Sequence, residues 1–207
     1  MQKSDATLSI KKTGKILWKP GTVLAPVPVV LVTCQGPETE PNVLTVAWTG
    51  TICSEPPVVS ISVRPERYSY TLLREHGEFV VNMPTVDMVK AVDMCGVISG
   101  RTVNKFEKAG LTKIPSRIVS VPSIKECPIN IECKVRQQIA LGSHIILMGE
   151  VMCVQVTPSC LTKSGKFSVE KARLLAFAHG EYFELGKKIG YFGFSVRKSK
   201  TSQSSRY

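Results

Sequence analysis

Apolar and β-branched residues recur along the chain in short runs that turn-forming residues separate. Residues 58–64 show this most clearly, because Val59, Ile61 and Val63 alternate with serines. Alternation with a period of two is typical of a strand with one buried face. By the same criteria the sequence predicts strands at residues 27–33, 42–48, 58–64, 129–138 and 144–157 and at Glu78–Met83. Gly149 interrupts the long run at 144–157 and predicts a bulge or bend there.

Helical patterns are fewer and shorter. The sequence predicts helices at residues 69–76, 86–95 and 103–109, each followed by a glycine of the kind that closes helices. Strands and helices do not alternate strictly, and no glycine-rich nucleotide-binding loop is present, which argues against a Rossmann or P-loop fold. The pattern predicts a single-domain, mainly β protein with a few helices, built as a closed or partly split β-barrel.

The net charge of +11 is concentrated at the two ends of the chain. Residues 1–20 carry +4 and residues 187–207 carry +6, whereas the 166 residues between them hold 16 basic and 15 acidic groups. A nucleic-acid-binding domain carries its basic face on the folded body, so this near-neutral body argues against one. We expect a basic arm at 1–19, a domain at 20–195 and a basic, disordered tail at 196–207.

The seven cysteines, together with the polar N-terminus, indicate a reducing compartment. Their number is odd, no CxxC pair occurs and no secretion signal precedes them, which predicts free thiols in the cytoplasm. No histidine or cysteine spacing matches a metal site. No apolar run approaches the length of a membrane span.

The segment that follows the predicted strand 42–48 combines hydroxyls, a glycine and a tryptophan. These groups suit a flat heteroaromatic ligand, because a glycine admits close backbone approach and N–H groups meet ring carbonyls. An ordinary strand end with a core tryptophan explains the same residues. The candidate ring contacts are Thr45, Ala47, Trp48, Thr49, Gly50 and Thr51.

A second candidate site lies between Ser62 and the helix predicted at 69–76. Ser69 is expected to cap that helix, and Arg67 with the first-turn N–H groups would then bind an anion such as a phosphomonoester. Plain capping beside a solvated arginine is the alternative. A further loop lies between two glycines; it contains Ser99, and Lys105 follows it, although an ordinary helix end and loop would explain the same residues. His144 begins an apolar strand, where it would contact a cofactor or have a structural role alone.

Five segments occur in an order that carries a resemblance. They read PVPVVLVT, NVLTVAWTGTICSEPPVVSISVR, RYSYTLLREHGEFVVNMP, CGVISGRTVNKF and LGSHIILMGEV. In this order they resemble the flavin reductase-like, FMN-binding split-barrel family, of the flavoredoxin type, over about residues 20–195. The resemblance implies a homodimer of split barrels with FMN near the subunit interface.

The resemblance also implies roles for individual residues. The ring would contact the segment from Thr45 to Thr51, and the phosphate would contact Arg67 and Ser69, with Ser62 nearby. His144 matches a histidine that lies in a Gly-Asp-His stretch in related reductases and reads Gly-Ser-His here; it would position a nicotinamide or the flavin. Further cofactor candidates are Asn82, Ser99 and Lys105.

The implied function is that of an NAD(P)H-dependent flavin reductase that transfers hydride to flavin. Three alternatives remain open: a flavoredoxin that takes electrons from a redox protein, a non-enzymatic protein that holds FMN or haem, and a nucleic-acid binder that uses the basic ends. An acidic partner such as a ferredoxin would be steered by the basic tail. Residues 186–194 are rich in apolar groups and are expected to pack on the barrel or on the partner subunit, with disorder from Arg197 onward.

Overall fold

The computed structural model describes residues 14–196 of the chain. In chain order its strands are β1 (Val27–Pro28), β2 (Val30–Cys34), β3 (Asn42–Val46), β4 (Thr49–Ser54), β5 (Pro57–Val63), β6 (Glu78–Met83), β7 (Lys113–Ile114), β8 (Ser123–Ile124), β9 (Ile129–Leu141), β10 (His144–Val156), β11 (Leu175–Ala178) and β12 (Glu181–Glu184). Its helices are α1 (Tyr68–His76), α2 (Val89–Val97), α3 (Lys105–Ala109) and α4 (Val169–Ala172), with 3₁₀ turns at Val86–Met88 and Pro158–Cys160. No helix within this range is long and apolar enough to cross a bilayer.

Seven antiparallel strands form one sheet in the order β3-β2-β6-β9-β10-β5-β4. Strands β3 and β4 are therefore its two edges, yet only Ala47 and Trp48 separate them along the chain. A link this short forces the edges together, so the sheet is rolled into a barrel. The backbone N–H of Ser62 extends the β4-β5 ladder into this link by donating to the Trp48 carbonyl at 2.9 Å.

Strand β2 is buried along its whole length because both faces of the sheet are covered there. Val30 and Val32 join the barrel interior, which α1 covers with Leu72 and Leu73. Leu31 belongs instead to a second cluster on the outer face, under α2 and α3. Burial on both faces explains why the sequence shows an unbroken apolar run there.

Most predicted elements are confirmed, with differences at their boundaries. The run 27–33 forms two strands in different sheets, since β1 pairs with β11 whereas β2 pairs with β3 and β6. The helix predicted at 86–95 is a 3₁₀ turn followed by α2. The bulge at Gly149 is present, and a Cβ at that position would overlap the Phe79 ring.

The C-terminal segment 186–194 does not pack on its own barrel, in contrast to one of the two expectations. Ile189 is 98% exposed and Phe192 is fully exposed. Tyr191 and Phe194 form an edge-on ring contact of 6.0 Å within the segment. After β12 the chain leaves the small β1-β11-β12 sheet, so no strand partner holds the segment. The tail predicted from Arg197 lies outside the described residues.

Glu132 on β9 fixes the loop before β8 to the barrel. The side chain is fully buried, and its carboxylate accepts from the backbone N–H groups of Arg117, Ile118 and Val119 at 2.7–3.1 Å and from the Gln155 amide at 2.9 Å. Desolvation raises the pKa of Glu132, but these donors outweigh it and leave the pKa below its ordinary value. A buried charge is tolerated here because every oxygen is hydrogen-bonded.

Replacing Glu132 by glutamine is expected to lower the free energy of unfolding by roughly 2–3 kcal/mol, because the amide NH₂ faces backbone donors that it cannot accept from. Urea denaturation at neutral pH measures this difference. A carboxyl whose pKa is lower in the folded state stabilises the fold above its unfolded pKa, and this stabilisation disappears as pH falls through the folded value. The difference between parent and variant should therefore shrink below about pH 4.

The matched control is Glu40→Gln, at an exposed carboxylate whose Oε2 lies 3.1 Å from Lys113 Nζ. It should change stability by less than about 1 kcal/mol. Equal unfolding midpoints for the parent protein and Glu132→Gln would contradict the proposed anchoring role.

Candidate functional site

Two connected chambers open along the barrel seam. The larger chamber has a volume of about 610 Å³ and the smaller one about 300 Å³. Ala47, Trp48, Ser62 and Phe177 line both, so the two chambers adjoin, and together they are called the cleft. The link between β3 and β4, Ala47 and Trp48, therefore lies between the two chambers.

The larger chamber is mainly apolar and lies between the N-terminal arm, the seam and the β11-β12 turn. Leu24, Val27, Trp48 and Phe177 supply apolar and aromatic walls, and Trp48 is 44% exposed. The remaining lining residues are mostly small or carry hydroxyls: Thr22, Ala47, Thr49, Gly50, Ser60, Ser62, Ala178, His179 and Gly180. A flat ring with a few polar edge atoms fits such a slot.

The smaller chamber holds the cationic side chains of the cleft. Arg67 lines it and donates to the Gly96 carbonyl at 3.0 Å, which fixes the guanidinium while its other N–H groups stay available. Arg67 is also the N-cap residue of α1, directly before the first helical residue. No side chain caps this helix, and the first turn of the helix contains no acidic residue. Arg64 and His144 line the same chamber. Helix N–H groups beside an arginine are donors of the kind that bind anions.

Tyr182 closes the smaller chamber from the β11-β12 hairpin. Its hydroxyl donates to Asp93 on α2 at 3.2 Å, and its ring packs edge-on against Phe177 at 5.4 Å. Burial, with the hydrogen bond to Asp93, raises the pKa of Tyr182 to about 12, so the phenol stays protonated at neutral pH. Arg173 ties the base of the hairpin to Asp87 at 2.9 Å.

Eight of the predicted site residues meet in this cleft, although they come from four separate stretches of chain. They are Thr45, Ala47, Trp48, Thr49, Gly50, Ser62, Arg67 and His144. Their grouping follows from the seam, which brings the end of β3, β5 and the start of β10 together. Thr51 and Ser99 are exposed and line neither chamber.

Ser69 does not cap α1, in contrast to the prediction. The helix begins one residue earlier, and the buried Ser69 hydroxyl accepts from the Asn42 amide at 2.8 Å. The serine therefore fixes β3 against the helix start.

Lys105 is buried beneath the cleft and does not line it. Its Nζ donates to the carbonyls of Val43 at 2.9 Å and Cys95 at 2.8 Å. Desolvation lowers the pKa of Lys105, and the positive charge of Arg67 adds to this effect. The lysine therefore joins α3 to β3, and its positive charge lies near Arg67, at the start of α1.

Asn82 is an interior structural residue and does not reach either chamber. It is fully buried, and its amide donates to the Leu31 carbonyl at 2.9 Å. Its Oδ1 accepts from Ile124 N at 2.9 Å and Asn130 Nδ2 at 2.8 Å. With every polar atom engaged, Asn82 serves to fix β8 to the barrel.

The sequence analysis did not identify two parts of the cleft lining: the β11-β12 hairpin and residues 22–24, which precede β1. Thr22, Leu24, Phe177, His179 and Tyr182 line the cleft, but no local motif marks them. Two short strand-like runs, at residues 175–178 and 181–184, are separated by a His-Gly pair, and this pattern predicts a hairpin. The pattern does not indicate which surface the hairpin covers.

The thiols and acids do not form a further reactive centre in the described part of the chain. Five cysteines are buried, and burial raises the pKa of Cys95 to about 11 and of Cys34 to about 12. Between residues 14 and 196 no cluster of three or more histidine, cysteine, aspartate or glutamate side chains is placed to hold a metal ion.

Known proteins share both this sequence pattern and this architecture. A sequence profile of the flavin reductase like domain matches residues 23–186. An uncharacterized protein of Archaeoglobus fulgidus is 36% identical over 144 residues, which span 70% of this chain and 80% of that protein. The flavoredoxin of Desulfovibrio vulgaris superposes with a TM-score of 0.83 at 32% identity, over 88% of this chain and all of the flavoredoxin.

A more distant structure extends the likeness in fold alone. An FMN-binding protein of Thermus thermophilus superposes with a TM-score of 0.73 at 20% identity, over 84% of this chain and 94% of that protein. These comparisons confirm the predicted fold class, a mainly β split barrel in one domain. The chain belongs to the flavin reductase-like family of flavin-binding split-barrel proteins.

Proposed function

We propose that the cleft binds FMN and that the protein passes electrons through it, as an NAD(P)H-dependent flavin reductase. The observation that carries the proposal is the division of one cleft into an apolar chamber and a cationic chamber. FMN has the same division, with a flat ring at one end and a phosphate at the other. The donor set therefore fits the cofactor at both ends.

The phosphate belongs at the start of α1. Arg67 offers its remaining N–H groups there, and the uncapped first turn offers backbone N–H groups. Lys105 adds a positive charge from its buried position near Arg67, although its ammonium protons already bind two carbonyls. Together these groups complement a phosphate dianion.

The ring belongs in the larger chamber, against Trp48 and Phe177. Strand β4 is an edge of the sheet, so every second N–H along it lies outside the β4-β5 ladder and can meet polar atoms at the ring edge. Thr49 is held in place because its hydroxyl donates to the Ser60 carbonyl at 2.8 Å. When bound, the cofactor supplies the hydride chemistry, and the protein supplies binding, orientation and electrostatics.

His144 is proposed to position the dihydronicotinamide. It lines the smaller chamber, and its Nδ1 lies 2.9 Å from the Ser143 hydroxyl, which orients the ring. A flavoredoxin-type carrier that accepts electrons from a redox protein is the second candidate function, and the 32% identity to a flavoredoxin favours it.

Anaerobic titration of the FMN-loaded protein separates the two candidate functions. Stoichiometric NADH or NADPH should bleach the flavin absorbance if the protein is a reductase. Persistent absorbance with both nucleotides, followed by bleaching with a reduced ferredoxin, would instead identify a carrier. A purified protein that neither retains nor binds FMN would contradict both.

Replacing Arg67 by alanine should weaken FMN binding by roughly one to two decades, because a charge-assisted contact contributes about 1.5–3 kcal/mol. Quenching of FMN fluorescence during titration with apoprotein gives the affinity. Arg74→Ala is the matched control, since Arg74 lies exposed in the last turn of the same helix and lines neither chamber. Unchanged affinity in Arg67→Ala would place the phosphate elsewhere.

A homodimer is proposed to cover the exposed apolar groups of the arm and the C-terminal segment, including Trp18, Ile189 and Phe192. Ending the chain after Gly186 should then shift the size-exclusion profile toward monomer and lower the retained flavin. Ending it after Val196 keeps these groups and should leave the profile unchanged. A dimer that survives both truncations would show that the segment does not hold the subunits together.

A further inference from the structure

His179 occupies a backbone conformation that its residue type rarely adopts. It forms the β11-β12 turn with Gly180, and both residues have positive φ, 51° and 88°. Two consecutive positive φ values define a type I′ turn, where asparagine followed by glycine is the favoured pair. A strained residue beside a cleft is an observation from which a functional role can be inferred.

His179 is also the one ionisable side chain that lines the larger chamber within residues 14–196. The arm contributes Thr22 and Leu24 there, and β5 contributes Ser60 and Ser62. Along its own hairpin the nearest charged residue is Glu181. Nothing in the described part of the chain forms a hydrogen bond or ion pair with the His179 ring.

The charged groups of the cleft otherwise lie in the smaller chamber. Arg64, Arg67 and His144 line that chamber, and none of them lines the larger one. The larger chamber thus has apolar walls with a single group that can acquire charge.

We propose that His179 balances the negative charge that a flavin ring gains on reduction in the larger chamber. The inference rests on the proposed function. Hydride transfer from a dihydronicotinamide gives the ring two electrons and one proton, so the ring gains one negative charge and the nicotinamide one positive charge. Imidazoles as a class change their charge between pH 5 and 8. A protonated His179 would stabilise the reduced ring, and this effect adds to the pH dependence that the ring's own proton uptake gives the potential.

The test is the midpoint potential of the FMN-loaded protein at about pH 6 and about pH 8.5, values on either side of imidazole titration. His179→Asn keeps the turn, because asparagine tolerates positive φ, and its thermal midpoint should equal or exceed that of the parent. At the lower pH the variant should lose roughly tenfold in the ratio of reduced to oxidised FMN affinity, about 30 mV for a two-electron couple. At the higher pH parent and variant should agree.

His76→Asn is the control, because His76 lies outside the cleft and contacts Ser120 and Glu78. It should follow the parent at both pH values. Equal potentials for His179→Asn and the parent at both pH values, with FMN bound, would overturn the assignment while leaving the proposed function intact. The same holds if His144→Asn, and not His179→Asn, shifts the potential at the lower pH relative to the parent. A parent protein that binds no FMN overturns both proposals.

Discussion

Ala47 and Trp48 connect two strands that lie at opposite edges of a seven-stranded sheet. Three virtual bonds between Val46 and Thr49 span no more than roughly 11 Å, so the sheet has to roll until its edges meet. The Ser62 N–H donates to the Trp48 carbonyl and so extends the β4-β5 ladder into this link. The same two residues therefore close the barrel and line both chambers.

The cleft keeps its shape because the elements around it are anchored by buried polar contacts. Lys105 joins α3 to β3 through the Val43 carbonyl and to α2 through the Cys95 carbonyl, and Asn82 fixes β8 to the barrel. Tyr182 connects the hairpin wall to α2 through Asp93. Each anchor satisfies groups that would be costly to bury alone, which makes the network sensitive to loss of a single partner.

The separation of charge within the cleft matters more for redox chemistry than any acid–base pair. Arginines lie at the helix start, and the larger chamber is apolar except for His179. The buried Cys34 and Cys133 thiols remain protonated because desolvation raises their pKa values. A cofactor that carries its own electron chemistry requires this kind of preorganised environment and few reactive side chains.

The sequence by itself determined the fold class, most of the strands, the bulge at Gly149 and eight of the cleft residues. These follow from local properties: periodicity, glycine sterics and the grouping of hydroxyls with Trp48 and Arg67. Only the tertiary structure decided that Ser69, Asn82 and Lys105 are structural. The sequence does not distinguish a polar side chain that faces a ligand from one that faces a buried polar group of the protein. It also decided that the arm and the hairpin with His179 line the cleft. Those contacts join residues more than a hundred positions apart, and no local pattern encodes which surfaces a rolled sheet brings together.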